Sequence, residues 1–233
     1  MKLDNRRTVL VGLAFLSVCA FWQMYDNIIP LILTNTFHLN ETVSGAIMAA
    51  DNVLALFLLP FFGALSDRTN TKIGRRMPFI LGGTAAAVIL MNLLPVFDNG
   101  YAATGETGKL ALFVVVLGLL LVAMGTYRSP AVALMPDVTP KPLRSRANAI
   151  INLMGAVGGI MYLAVAAVLY PNSKTEGLAH VNYQPLFIVV SVLMAASVII
   201  LYFTTNEPKL AAAEKEYEAE HPEQQLVEEE PDG

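Results

Sequence analysis

Long apolar runs separated by short polar intervals set the pattern of this chain. A helix needs ~20 mostly apolar residues to cross the ~30 Å hydrocarbon core of a bilayer. Six segments qualify: 8–34, 42–66, 77–97, 110–135, 147–170 and 185–205. The third reads MPFILGGTAAAVILMNLLPVF and the sixth PLFIVVSVLMAASVIILYFTT. None shows the strict alternation, over about 10 residues, of a membrane β-barrel strand. The pattern predicts an all-α integral membrane protein whose residues 1–205 form a bundle of six transmembrane helices. Residues 206–233 carry too little apolar surface for a domain and are expected to form a short charged helix around AAAEKEYEAEH, then disorder, as a solvated tail.

Composition agrees. The chain is 55% hydrophobic and 15% charged, where soluble domains carry about 25% charged residues. Its net charge of −4 is unevenly spread: residues 206–233 hold ten acids and two lysines, which leaves the first 205 residues net positive. No basic patch with interleaved aromatics supports nucleic-acid binding. The single cysteine, Cys19, excludes an intrachain disulfide and a zinc site of paired cysteines. LSVC, ending at Cys19, departs from a lipoprotein cleavage site at Val18, so an uncleaved first span is expected. The bases divide sharply. Lys2, Arg6, Arg7, Arg68, Lys72, Arg75, Arg76, Lys141, Arg144, Arg146, Lys209 and Lys215 fall on one side of the predicted bundle, whereas Lys109 and Lys174 fall on the other. The positive-inside rule then predicts that both termini are cytoplasmic.

The densest charge lies between spans two and three, in FFGALSDRTNTKIGRRMPFI (61–80). Four bases alone would fix topology and attract anionic headgroups. They would not require Asp67, the glycine four residues before it, or Gly74 immediately before Arg75 and Arg76. This stretch resembles the signature G-x-L-x-D-R-x-G-R-R of the major facilitator superfamily, here as Gly63, Leu65, Asp67 and Arg68, then Gly74, Arg75 and Arg76 after a five-residue spacer in place of one. SDRTNTKIGRRMPF and YRSPAVALMPDVTPKPLRSRANAIINLMGAVGG (127–159) are similar to the sucrose-transporter-like carriers related to the solute carrier 45 family, and to glycoside–cation symporters. The resemblance implies one half of a twelve-helix fold, built of two inverted three-helix repeats. It also implies that the turn is a cytoplasmic gate: Gly63 permits close helix approach, and Asp67 accepts hydrogen bonds from arginines and from a helix N-terminus in the other half.

Charges inside spans are costly and point to function. Asn52 to Ser66 is too short to span, so helix two must include Asp51. FWQMYDN gathers Trp22, Gln23, Asp26 and Asn27 within two turns, Gln23 with Asn27 and Trp22 with Asp26 on common faces. An aromatic face beside amides and carboxylates suits a sugar ring; an interfacial aromatic belt with a helix-end acid would look the same. Arg128 lies either within span four or at its cytoplasmic interface. Inside the bundle it would need a carboxylate or a polar substrate. In the family, helices one and four line the central cavity, which places Asp26 and Arg128 on one pathway; related sucrose carriers hold an arginine about one turn later, near Val132. A carboxylate that moves between an apolar setting and an arginine can take up and release a proton. Sodium-coupled relatives cluster acids near helices one, two and four, whereas helix four here offers Arg128, so a proton is the expected coupling ion and no cofactor or metal is expected.

In NAIINLMGAVGG the glycines predict close helix packing, and Asn148 and Asn152 predict interhelical hydrogen bonds, substrate contact being the alternative. His38, His180 and His221 show no metal-ligand spacing, and GETGK (105–109) is a turn rather than a phosphate loop. The expected function is secondary active transport, not enzymatic: proton-coupled symport of a sugar across a cell membrane, with sodium-coupled glycoside symport as the rival chemistry. Because a complete carrier has twelve spans, a C-terminal six-helix half is the expected partner. A fragment or split gene, a homodimer of six-helix units, and a truncated protein that transports nothing all remain compatible with the sequence.

Overall fold

Helix starts are written locally. Asp4 accepts a hydrogen bond from the amide of Arg7 at 3.1 Å, and Asn40 one from Val43 at 2.8 Å, the usual capping of otherwise unpaired first-turn amides. The computed structural model describes residues 4–220. Its long helices are α1 (Asn5–Leu31), α2 (Glu41–Arg68), α3 (Met77–Thr104), α4 (Thr107–Asp137) and α5 (Arg144–Leu169). A single turn, α6 (Asn172–Thr175), precedes α7 (Gln184–Thr204) and α8 (Glu207–Glu220). Lys2, His221 and the disorder expected of the last residues lie outside the described residues.

Prolines inside the helices bend them without ending them. Beyond Pro30, α1 continues as a π-helical turn, Ile32–Thr36, and the Thr34 hydroxyl donates to the Pro30 carbonyl at 2.9 Å. The third helix runs past the predicted boundary at 97 to Thr104, where Gly105 adopts φ +67° and closes it. GETGK is the α3–α4 turn, with Lys109 Nζ donating to the Gly100 carbonyl at 3.0 Å.

The packing is pseudo-symmetric. α1 packs on α5 and α7, α4 packs on α2 and α3, and α3 meets α7. Exchanging α1 with α4, α2 with α5 and α3 with α7 leaves that pairing unchanged, as two three-helix repeats require. Phe21, Met24, Tyr25 and Ile29 of α1, with Leu120, Met124 and Tyr127 of α4, form the centre of the core. Glycines set the α1–α5 spacing: a Cβ on Gly155 would stand 2.9 Å from Cys19 Sγ, one on Gly12 2.7 Å from Met154 Cγ, and one on Gly158 would run into the Leu16 carbonyl. Close approach is therefore the role of these glycines. Asn148 and Asn152 correct the expectation made for them. Both are exposed and make no hydrogen bond among the described residues.

α2 is the outlier. It is apolar throughout its middle, yet only Ser44 and Ser66 are buried; Val53, Leu56, Phe57 and Phe61 are all exposed. Six helices here are long and apolar enough to cross a membrane, and such a surface is stable only against lipid or other protein.

Candidate functional site

Two sets of polar side chains stand out, one at the basic end of the bundle and one midway along α1, α2 and α4. The basic end gathers the end of α2, the start of α3, the end of α4 and the start of α8. Arg76 is its centre and is only 5% exposed. Its guanidinium meets Asp67 at 2.5 Å and Asp137 at 2.7 Å, and donates to Ser66 Oγ at 2.5 Å. Arg75 adds a second contact to Asp137 at 3.2 Å. Burial opposes the charge of Arg76, but the hydrogen bond and charge of Asp137, with those of Asp67, hold its pKa above the ordinary value. Arg76 therefore stays cationic, and a buried cation with two carboxylates is costly to break. Gly63 allows the α2–α4 approach beside it: its Cβ would stand 3.1 Å from Ser129 Oγ, whose hydrogen donates to the Leu59 carbonyl at 2.8 Å. Arg68 is exposed and makes no ion pair among the described residues.

Gly74 is explained by a residue the sequence reading assigned to a solvated tail. Glu207, first residue of α8 and 1% exposed, inserts its carboxylate under the N-terminus of α3. Oε1 accepts from the amides of Arg75 (2.8 Å) and Arg76 (2.9 Å), and Oε2 from that of Met77 (2.9 Å). This is an anion at the positive end of a helix dipole, donated from a distant segment. Gly74 has φ +115°, and a Cβ there would strike the Glu207 carboxylate. The short helix expected here is present, but it is docked rather than solvated. α8 is docked by Glu207, by Glu214 on Arg144 at 3.1 Å, and by Leu210 against the core. Between α8 and the turn lies a cleft of about 420 Å³ lined by Asp67, Arg68, Thr71, Arg75 and Lys215.

The second set lies where α1, α2 and α4 meet, on the side by which α2 packs against α4. Trp22 of α1, Asp51 of α2 and Arg128 of α4 line one small pocket of about 20 Å³, floored by Leu58, Leu121 and Gly125. The Arg128 guanidinium carbon stands 5.4 Å over the Trp22 ring, a cation–π arrangement. Of the partners considered for Arg128, a carboxylate or a polar substrate, the carboxylate is not at hand: Arg128 makes no ion pair among the described residues, and its guanidinium lies over Trp22. Asp51 is half-buried and its Oδ1 accepts from the Asn52 amide and side chain at 2.6 and 2.8 Å. Asp26 is exposed, outside this pocket and without a hydrogen-bond partner, although the charge of Asp51 bears on it. Gln23 and Asn27 bond to each other, Asn27 Nδ2 donating to Gln23 Oε1 at 3.3 Å. The Trp22 indole nitrogen is buried and unpartnered. A cation, an anion and an indole ring therefore meet at one pocket, the chemistry that binds a polar solute; the pocket itself holds about one water.

Comparison with known proteins places these features. The chain matches the Major Facilitator Superfamily over residues 11–228. It is 30% identical to "Sucrose transport protein SUC4" of Arabidopsis thaliana over 69% of this chain and 34% of that protein. It is 26% identical to the "Putative glycoside/cation symporter YagG" of Escherichia coli over 82% and 41%, and 28% identical to the "Alpha-ketoglutarate permease" of the same bacterium over 82% and 42%. The chain thus spans less than half the length of these relatives.

Proposed function

The chain belongs to the major facilitator superfamily, and from that premise we propose that it forms the N-terminal six-helix half of a proton-coupled sugar symporter of a cell membrane, its basic end cytoplasmic. The observation that carries this reading is the meeting of Trp22, Asp51 and Arg128, from three helices and both repeats, around one small pocket. A sugar needs a cavity of roughly 300 Å³ or more, against about 20 Å³ here. A second six-helix unit would supply the other wall, as alternating access requires two bundles around one site. In that assembly Trp22 offers an aromatic surface to a pyranose, and Asp51 exchanges the coupled proton near Arg128. The donor set supports proton rather than sodium coupling, since α4 contributes a cation to this pocket and no acid.

The Arg76 cluster acts as the cytoplasmic gate. It fastens the ends of α2, α3 and α4, while Asp67, 55% exposed on its side chain, keeps a carboxylate edge for a helix end of the second half. One observation favours a second substrate class: Arg128 has no carboxylate of its own, so a dicarboxylate could complete the pair.

The test is uptake of radiolabelled sucrose, maltose and 2-oxoglutarate into proteoliposomes, with and without an inward proton gradient, for this chain alone and joined to a C-terminal six-helix half. Sugar uptake by the joined form that collapses with the gradient and with Asp51→Asn supports the proposal. Uptake of 2-oxoglutarate alone transfers it to a dicarboxylate. No uptake by a folded joined form reduces the chain to a non-transporting remnant, and uptake by the short chain alone refutes the need for a second half.

A further inference from the structure

At the end opposite the basic cluster sits a buried acid that the reading above does not use. Asp98, near the end of α3, is 0% exposed, and neither carboxylate oxygen has a hydrogen-bond partner. His180, in the loop between α6 and α7, places Nε2 3.9 Å from Asp98 Oδ2. The imidazole is held in place: Nε2 meets Asn99 Oδ1 at 2.8 Å and Nδ1 meets the Thr36 hydroxyl at 3.2 Å. Asn99 in turn donates to Asn182 Oδ1 at 2.9 Å, and Tyr170 donates to the Asn182 carbonyl at 2.8 Å. One imidazole therefore joins the outer ends of α1 and α3 to the loop that follows α5.

A buried carboxylate with only the Thr36 hydroxyl and this imidazole to offset its charge is costly. The neighbouring titratable groups offer no other relief. Lys109, at the start of α4, is committed to the Gly100 carbonyl and to Glu106 at 3.5 Å. Tyr183, at the start of α7, adds only further negative charge if ionised. His38 is exposed, on the rim of a cleft of about 340 Å³ that it shares with Thr36 and His180. We propose that Asp98 and His180 form one proton-binding site, occupied as a protonated carboxyl beside a neutral imidazole or as a carboxylate beside an imidazolium, and that loss of the shared proton releases the loop from α1 and α3. The site is independent of the solute and of the coupling ion.

The experiment is thermal unfolding of the purified chain in detergent from about pH 5 to about pH 8.5, for the parent, Asp98→Asn and His180→Gln. Below about pH 6.5 the unfolded chain protonates its free histidine, so the pair in the folded chain has no proton advantage and the parent profile is flat. Above it the folded chain holds one proton more, and the melting temperature falls by about 3–5 °C per pH unit. Asp98→Asn removes that fall. His180→Gln, which leaves Asp98 to hold the proton alone, extends it down to about pH 5. A parent profile that stays level above about pH 6.5, or a His180→Gln profile superimposable on the parent's, overturns the proposal; the second variant decides if Asp98→Asn does not fold.

Discussion

Glu207 carries the sharpest prediction, because nothing local explains its burial. Truncation to alanine strips the acceptors from three amides. The N–H of Arg75 is partly exposed and can turn to water, whereas those of Arg76 and Met77 are buried. Each buried orphan costs ~1–3 kcal/mol, so two give about 2–6 kcal/mol, less what is regained by no longer desolvating a carboxylate. A net loss of about 3 kcal/mol is expected. At ~2–4 °C per kcal/mol for a chain of this size, Glu207→Ala should melt roughly 6–12 °C lower. Glu207→Gln keeps one carbonyl-type oxygen for Arg75 and Arg76 but turns an amide N–H₂ towards the Met77 donor, so it should lose about half as much. The assay is thermal unfolding in detergent followed by the fluorescence of Trp22, the single tryptophan, which reports from α1, far from the mutation. Glu207→Ala melting within about 1 °C of the parent would refute the claim that this carboxylate caps α3.

The other predictions bear on the same packing and on transport. Asp137→Ala, which strips the buried Arg76 of its Nε partner, should cost ~3–5 kcal/mol; Asp67→Ala, at the exposed contact, should cost no more than ~1 kcal/mol, and equal melting shifts would contradict this order. Gly74→Ala should destabilise by ~1–3 kcal/mol from its backbone conformation alone, and combined with Glu207→Ala the two losses should sum to less than their total, because the clash with the carboxylate disappears. Gly158→Ala drives a Cβ into the Leu16 carbonyl and should separate α1 from α5, lowering the melting temperature more than Gly108→Ala, where the space is open. In the joined carrier, Trp22→Ala and Asp51→Asn should each abolish gradient-driven uptake while shifting the melting temperature by only a few degrees, since Trp22 and Asp51 are only half-buried.

The sequence alone determined what depends on runs and on counts. Six apolar stretches of sufficient length became six long helices, and the bases that border them lie together at one end, because hydropathy and charge act over each segment by itself. Gly63, the glycines of α5, and Asp67 with Arg76 were legible for the same reason: small residues at a helix spacing and opposite charges in one short turn leave few roles. Pairings across the bundle were not legible. Glu207 is one acid among ten in a stretch that reads as solvent-exposed, and only the docking of α8 sets it beneath amides some 130 positions earlier. Asp98 lay just beyond the expected end of the third span, and His180 in an unremarkable loop; the continuation of α3 to Thr104 buried the one and brought it within reach of the other. Arg128 was expected to need a carboxylate or a polar substrate; that it lies over Trp22 was not legible, because the crossing of α1 and α4 fixes which side chains share a depth along the helix axes. Side-chain type and spacing are local properties, whereas depth, rotation and crossing angle are fixed when helices pack, and these decided which charged groups met.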